Sequence, residues 1–159
     1  MIDSPSPWFP FMALAQAQAR AAGLAGDVPV GAVLVDPQGK VLAQSGNGRQ
    51  RGKGPLSHAE IEVMQAGAAA WGSWNLEGCT LVVTLEPCPM CAGAAVSTHL
   101  GRIVFGAWDQ KMGACGSVWD IPRDPHIGFQ PEVVGGVREA ECQSLLTNFF
   151  RARRATPEL

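Results

Sequence analysis

Two short segments of the chain bring together residue types that hold zinc and move protons. The first is Ser57-His58-Ala59-Glu60, and the second is Thr84-Leu85-Glu86-Pro87-Cys88-Pro89-Met90-Cys91. His58, Cys88 and Cys91 offer one imidazole and two thiolates, three ligands that leave the fourth position of a tetrahedral ion to water. Water on such an ion loses its proton near neutral pH, and Glu60 beside the first ligand supplies a general base. That set is equipped for hydrolysis.

Cys88 and Cys91 are three residues apart, so at the start of a helix they share one face and can hold one ion. Pro89 suits the first helical position, where its missing N–H costs nothing, and the positive end of the helix favours thiolates. A surface pair of free thiols is the alternative. His58 on its own reads better as a core or surface imidazole bonded to backbone. Ser57-x-x-Glu60 ahead of an apolar run is also a capping box. On a regular helix residues two apart point about 200° away from one another, so Glu60 must reach round the helix start to meet the water. A closed structural zinc site is a third reading, with its fourth ligand from Cys79, Cys115, Cys142, His99 or His126.

The elements that must position these residues alternate between helical and strand patterns, without internal repeats, which predicts an α/β fold. A first helix is expected from Trp8 to about Ala25, ended by Gly26 and Pro29. Strands follow at Gly31–Val35 and Lys40–Gln44 around the turn residues Asp36-Pro37-Gln38-Gly39. After a Gly- and Arg-containing loop from Gly46 to Pro55, a helix from about His58 to Trp71 carries the histidine. Thr80–Thr84 reads as a buried strand, and the cysteine motif starts at its C-terminal end, where open α/β sheets place their sites. A helix over Pro89–His99, strands at Arg102–Ala107 and near Glu132–Val134, and a last helix over Glu139–Arg154 complete about five strands and four or five helices. The segment Asp109–Gln130 lacks periodicity, is rich in Gly and Pro and is longer than most connections in compact domains, as functional loops often are.

Composition sets outer limits. With 159 residues, 47% of them apolar, one domain over residues 1–159 can bury a substantial core, with residues 1–7 expected to be flexible. No basic leader or membrane-length apolar run occurs, so a soluble, cytoplasmic protein is expected. Five cysteines cannot all pair within one chain, which favours metal binding over disulfides and leaves Cys79, Cys115 and Cys142 as buried thiols. A net charge of −2 gives no global attraction to nucleic acid, so an RNA partner would need a local basic patch.

His58-x-Glu60 with Pro87-Cys88-x-x-Cys91 matches the pattern of zinc deaminases that act on nucleic-acid bases. The chain resembles the cytidine deaminase-like superfamily and, within it, the bacterial tRNA adenosine deaminases. The resemblance runs from about Met12 to Arg154. It includes Asp27-Val28-Pro29-Val30-Gly31-Ala32-Val33, Asn47, Cys91-Ala92-Gly93-Ala94 and Arg102-Ile103-Val104-Phe105-Gly106-Ala107. The segments Asp109 to Ser117 and Glu141 to Arg151 resemble the tRNA branch in particular. The chain departs from the family in the loop before the last strand, where Gly128-Phe129 replaces a common Asn-His pair, and Trp108 precedes Asp109.

The resemblance implies a three-layer α/β/α fold with a central mixed sheet, one Zn2+ per chain on His58, Cys88 and Cys91, and a homodimer. It implies hydrolytic deamination of the wobble adenosine in a tRNA anticodon stem-loop: Glu60 deprotonates the zinc-bound water, hydroxide attacks C6 of adenine, and Glu60 passes the proton to the ring nitrogen and the leaving amine. Because zinc deaminases themselves define this pattern, the mechanism comes from the resemblance and not from spacing. Asn47, Val30, Ala59, Leu85, Asp109, Lys111, Phe150 and Arg151 are implied as substrate-binding. The alternative for Asn47 is support of its own Gly46-Asn47-Gly48 turn. Arg49, Arg51, Lys53, Lys111, Arg151, Arg153 and Arg154 are candidates for phosphate contacts, the last three also for solvated helix-end cations. One of Phe149 and Phe150 is implied to stack near the base. A free nucleobase or nucleoside deaminase with the same chemistry is the alternative function, and a non-catalytic RNA-binding subunit would not need Glu60.

Overall fold

A computed structural model describes residues 5–155. The order is α1 (Phe9–Leu24), β1 (Gly31–Val35), β2 (Val41–Gly46), α2 (Ala59–Trp71), β3 (Thr80–Leu85), α3 (Pro89–Ser97), β4 (Arg102–Ala107), β5 (Glu132–Val134) and α4 (Glu139–Ala155), with a 3-10 turn at Ile121–Arg123. The expected flexible start falls partly outside the described residues, which begin at Pro5. Within them Trp8 N–H donates to Ser6 Oγ and Phe9 N–H to the Ser6 carbonyl.

The strands lie in the order β2-β1-β3-β4-β5. β1 is antiparallel to β2 and β3, whereas β3, β4 and β5 run parallel, so the sheet is mixed as expected. Every residue of β1 is buried, as are five of the six in β3 and in β4, because helices cover both faces. Alternation along the strands divides them between two cores. Val33, Val35, Val82 and Val104 meet Met12 and Ala15 of α1 and Cys142 of α4. Ala32, Leu34, Leu81, Val83, Ile103 and Phe105 meet Val63 and Met64 of α2 and Ala92 and Ala95 of α3. The result is the three-layer α/β/α arrangement.

Helix α1 lies so close to β1 that a Cβ on Gly31 would overlap the Ala15 carbonyl oxygen. Gly31→Ala is therefore expected to destabilise the protein by about 1–3 kcal/mol, the usual cost of overpacking, read as a lowered urea midpoint with an unchanged slope. A midpoint equal to wild type would show that the helix can shift without cost.

Helix α3 stops at Ser97, two residues earlier than its sequence suggests. Thr98 Oγ1 donates back to the Ala94 and Ala95 carbonyls at 3.0 and 3.2 Å, and His99 takes φ 55°, which turns the chain out of the helix. Strand β2 continues to Gly46 because its pairing with β1 runs the full length, Gly46 lying opposite Gly31.

Candidate active site

His58, Cys88 and Cys91 converge. His58 is the extended residue at the start of α2 and Cys88 holds the same place at the start of α3, with Pro89 behind it as the first helical residue. Two helix N-termini therefore meet at one point, an electropositive setting for thiolates. The His58 Nδ1 lies 3.6 Å from Cys88 Sγ and 3.5 Å from Cys91 Sγ, and the three donor atoms lie within 4.8 Å of one another. Zinc–sulfur bonds of about 2.3 Å and a zinc–nitrogen bond of about 2.0–2.1 Å at a tetrahedral angle would put sulfur and nitrogen about 3.6 Å apart, so the donor set fits zinc in both chemistry and spacing. Among the described residues Cys79, Cys115, Cys142, His99 and His126 belong to no such group, which removes the closed structural site. The three other cysteines are buried free thiols.

Glu60 is 4% exposed, 2.7 Å from Cys91 Sγ and 3.8 Å from His58 Nδ1. The helical-angle difficulty disappears because His58 has extended backbone (φ −69°, ψ 150°) and stands outside the helix, which begins at Ala59. The capping box does not form either: the residue capping α2 is His58, with no side-chain capping bond. The capping-box duty that would have competed with chemistry is thus absent.

The protonation states follow from crowding. The Cys91 thiol donating to it pulls Cys88 down to about 4, against the opposing effect of burial and with help from His58. Cys91 is pushed far above the ordinary thiol range by that same bond, by burial and by Glu60. His58 is raised mainly by its bond to Cys88, with burial opposing and Glu60 assisting. Burial raises Glu60 above the ordinary carboxylate value, which makes it a stronger proton acceptor than a solvated glutamate.

The cluster floors a cavity of about 320 Å³ whose walls include Val28, Val30, Asn47, Ala59, Leu85, Asp109 and Met112. Five of the eight implied substrate-binding residues, Val30, Asn47, Ala59, Leu85 and Asp109, are therefore assembled here. Asn47 fills both of its readings, since it lines the cavity while its Oδ1 accepts the Arg49 N–H at 3.3 Å. A larger groove of about 980 Å³ shares Val28, Leu85, Asp109 and Met112 with the cavity and continues over Trp108, Lys111, Phe150, Arg153 and Arg154. On α4, Gln143, Leu146, Thr147, Phe150, Arg153 and Arg154 form one stripe at helical spacing along this groove. Arg151 falls off that stripe, is exposed and lines neither cavity, whereas Arg153 and Arg154 line the groove. Phe150 is the ring that reaches the groove, while Phe149 carries Arg153 over its face at 5.0 Å.

Arg51 is anchored: its Nε donates to buried Asp27 at 2.9 Å and its Nη2 to the Asn47 carbonyl at 2.8 Å, so it ties down the cavity loop. Burial opposes ionisation of Asp27, but the Gln50 N–H and the side chain and N–H of Arg51 together hold it below its ordinary 3.8. A depressed carboxyl stabilises the fold fully above its ordinary value and loses that contribution as the pH falls through the lower folded value. Asp27→Ala is expected to cost on the order of 3 kcal/mol, by stranding three donors, and to weaken substrate binding as the loop loosens. A calorimetric melt equal to wild type would refute the clamp.

Glu86 and Asp27 are the residues that sequence reasoning missed. Both stand inside quoted motifs, and the available signal was a carboxylate in an otherwise apolar, buried context. The Gly128-Phe129 departure lines neither the cavity nor the groove: Phe129 stacks on His99 at 4.8 Å, Trp74 meets that imidazole edge-on at 5.3 Å, and His126 pairs with Asp124.

With fold and geometry in view, the chain belongs to the zinc-binding cytidine and deoxycytidylate deaminase family, whose pattern matches residues 9–107. Within it, the chain is 44% identical over 144 residues to the tRNA-specific adenosine deaminase of Bacillus subtilis, a span covering 91% of this chain and 89% of that one. It superposes with a TM-score of 0.82 and 41% identity on a solved tRNA:A34 deaminase studied for A-to-I editing at the wobble position, covering 86% of this chain and 99% of the other. Guanine deaminase from Nitrosomonas europaea shares the fold at 24% identity and a TM-score of 0.73, covering 92% of this chain and 85% of that one.

Proposed function

We propose that the protein hydrolyses the wobble adenosine of a tRNA anticodon to inosine, releasing ammonia. The observation that carries this reading is the junction of a base-sized cavity over Glu60 with a groove edged by Lys111, Arg153 and Arg154 and by the rings of Trp108 and Phe150. Cations and aromatic faces along one path are what an unpaired strand needs for its phosphates and neighbouring bases. A free base would need only the cavity. Similarity to the tRNA-acting relatives, well above that to the guanine deaminase, supports the same choice.

A zinc ion held by His58, Cys88 and Cys91 would supply the Lewis acidity that brings water to its hydroxide form near neutral pH. Glu60 Oε2 accepts the proton that water gives up. As the oxygen adds at C6 of adenine, Glu60 delivers that proton to N1 and then serves the departing amine, so adenosine and water become inosine and ammonia. Val30, Ala59 and Leu85 exclude bulk water and fix the ring, and Asn47 holds the base or its ribose. Asp109, Lys111 and Phe150 receive the flanking nucleotides, and Trp108 adds an aromatic wall where they enter.

The reading treats the whole chain as one deaminase domain, working in the cytoplasm where tRNA is processed and as a homodimer. Among the described residues no helix is long and apolar enough to cross a membrane. Exposed Leu56, Trp74 and Trp119 offer apolar surface for a second copy. Incubation of the purified protein with an anticodon stem-loop bearing a wobble adenosine, and separately with adenosine, guanine, cytosine and cytidine, tests the function through inosine and ammonia. Turnover of a free base or nucleoside with none on the stem-loop would overturn it in favour of the free-base alternative.

A further inference from the structure

Glu86 is 2% exposed, has no cation partner among the described residues, and takes no part in proton transfer. All of its side-chain bonds go to one loop. Oε1 accepts the Asp109 N–H at 3.0 Å and the Ser117 hydroxyl, and Oε2 accepts the Cys115 and Ser117 N–H groups at 3.0 and 3.1 Å. A buried carboxylate with neutral partners is costly unless every acceptor site is used, and here four donors converge on its two oxygens. The loop is shaped to meet it: a Cβ on Gly113 would overlap the Glu86 carboxyl. Backbone bonds on either side of Glu86 complete the attachment, from Glu86 N–H to the Ala107 carbonyl and from Ala114 N–H to the Pro87 carbonyl, each 2.8 Å.

Glu86 is also two residues from Cys88. The same stretch of backbone thus carries a zinc ligand and grips the loop that presents Asp109, Lys111 and Met112 to the cavity and groove. We infer that Glu86 is a positioning residue that fixes the 109–117 loop at a set distance from the metal centre, and so determines how tightly the nucleotides flanking the target adenosine are held. The inference deepens the proposed function and rests on it for the identity of the ligand.

Glutamine at this position keeps the shape but turns an amide NH2 towards donors, so at least two of the four bonds are lost. Glu86→Gln is expected to retain one zinc per chain and to raise KM for the anticodon stem-loop about tenfold, with a far smaller change in kcat, because the loop must be reordered at binding. In a double-mutant cycle with Lys111→Ala the two KM effects should be clearly less than multiplicative, since both act through one loop. Amide exchange at Asp109, Cys115 and Ser117 should accelerate in the variant while β3 and α3 stay protected. Multiplicative KM effects, a kcat-only defect or unchanged exchange at those three amides would overturn the inference. Ser117→Ala, which removes a single bond, serves if Glu86→Gln does not fold: faster exchange confined to the loop is expected, and unchanged exchange would overturn it. Exchange needs no RNA, so a wild-type protein inert on the stem-loop would count against the proposed function while leaving the loop's attachment to be decided by its amides.

Discussion

Glu60→Gln is expected to lower stem-loop deamination about a thousandfold while leaving one zinc per chain in place, because it removes the proton acceptor without changing the size of the side chain. General acid–base groups contribute roughly 10²–10⁴ to a rate, and Glu60 serves more than one proton transfer in the cycle, which places it in the upper part of that range. Burial raises Glu60 above the ordinary carboxylate value, which suits it to take up and return a proton near neutral pH. Measured kcat and zinc content suffice; substantial activity in the Gln variant would return Glu60 to a structural role.

Cys91→Ala should abolish activity by a different route, through the metal. Cys91 is fully buried in the first turn of α3 and has a partner for its sulfur on each side, His58 Nδ1 and Glu60 Oε2. With two ligands left, zinc content should fall from one per chain towards zero and the rate to background. Zinc binds the folded arrangement alone, since His58 and Cys91 are 33 residues apart. Its loss should lower stability by about 4 kcal/mol when free zinc stands at a thousand times its Kd. A chelator should reproduce this shift in the wild type and leave the variant where it already is. One zinc per Cys91→Ala chain would sink the assignment of that ligand.

The secondary structure was legible because it is local, and the ligand set because each of its two halves, though 33 residues apart, is a local pattern. Strands β1 and β4 have the predicted bounds because their apolar runs end at turn residues on both sides, and Pro89 marks the first helical residue of α3. Zinc ligands are legible because metal chemistry restricts both residue type and spacing. Asp27 and Glu86 were missed because a buried carboxylate is explained only by its donors, and these lie 23 to 31 residues away, mostly as backbone N–H groups that no residue type betrays. The anchoring of Arg51 was hidden for the same reason, since a loop arginine looks free until Asp27 is known to lie beneath it. Which cations of α4 line the groove was not legible either, because about 100° per residue separates Arg151 from the stripe that Arg153 and Arg154 join.

The shared walls of the cavity and the groove have a consequence for which adenosines qualify. Val28, Leu85, Asp109 and Met112 belong to both spaces, so a base in the cavity lies beside the groove that can take its neighbours. A stacked, paired nucleotide would have to abandon its helix for that, at a cost of a few kcal/mol, whereas a residue at the bend of a hairpin has already parted from its neighbours. The architecture thus interrogates the pliability of an RNA before its letters, and adenosines inside stems are protected by their own rigidity.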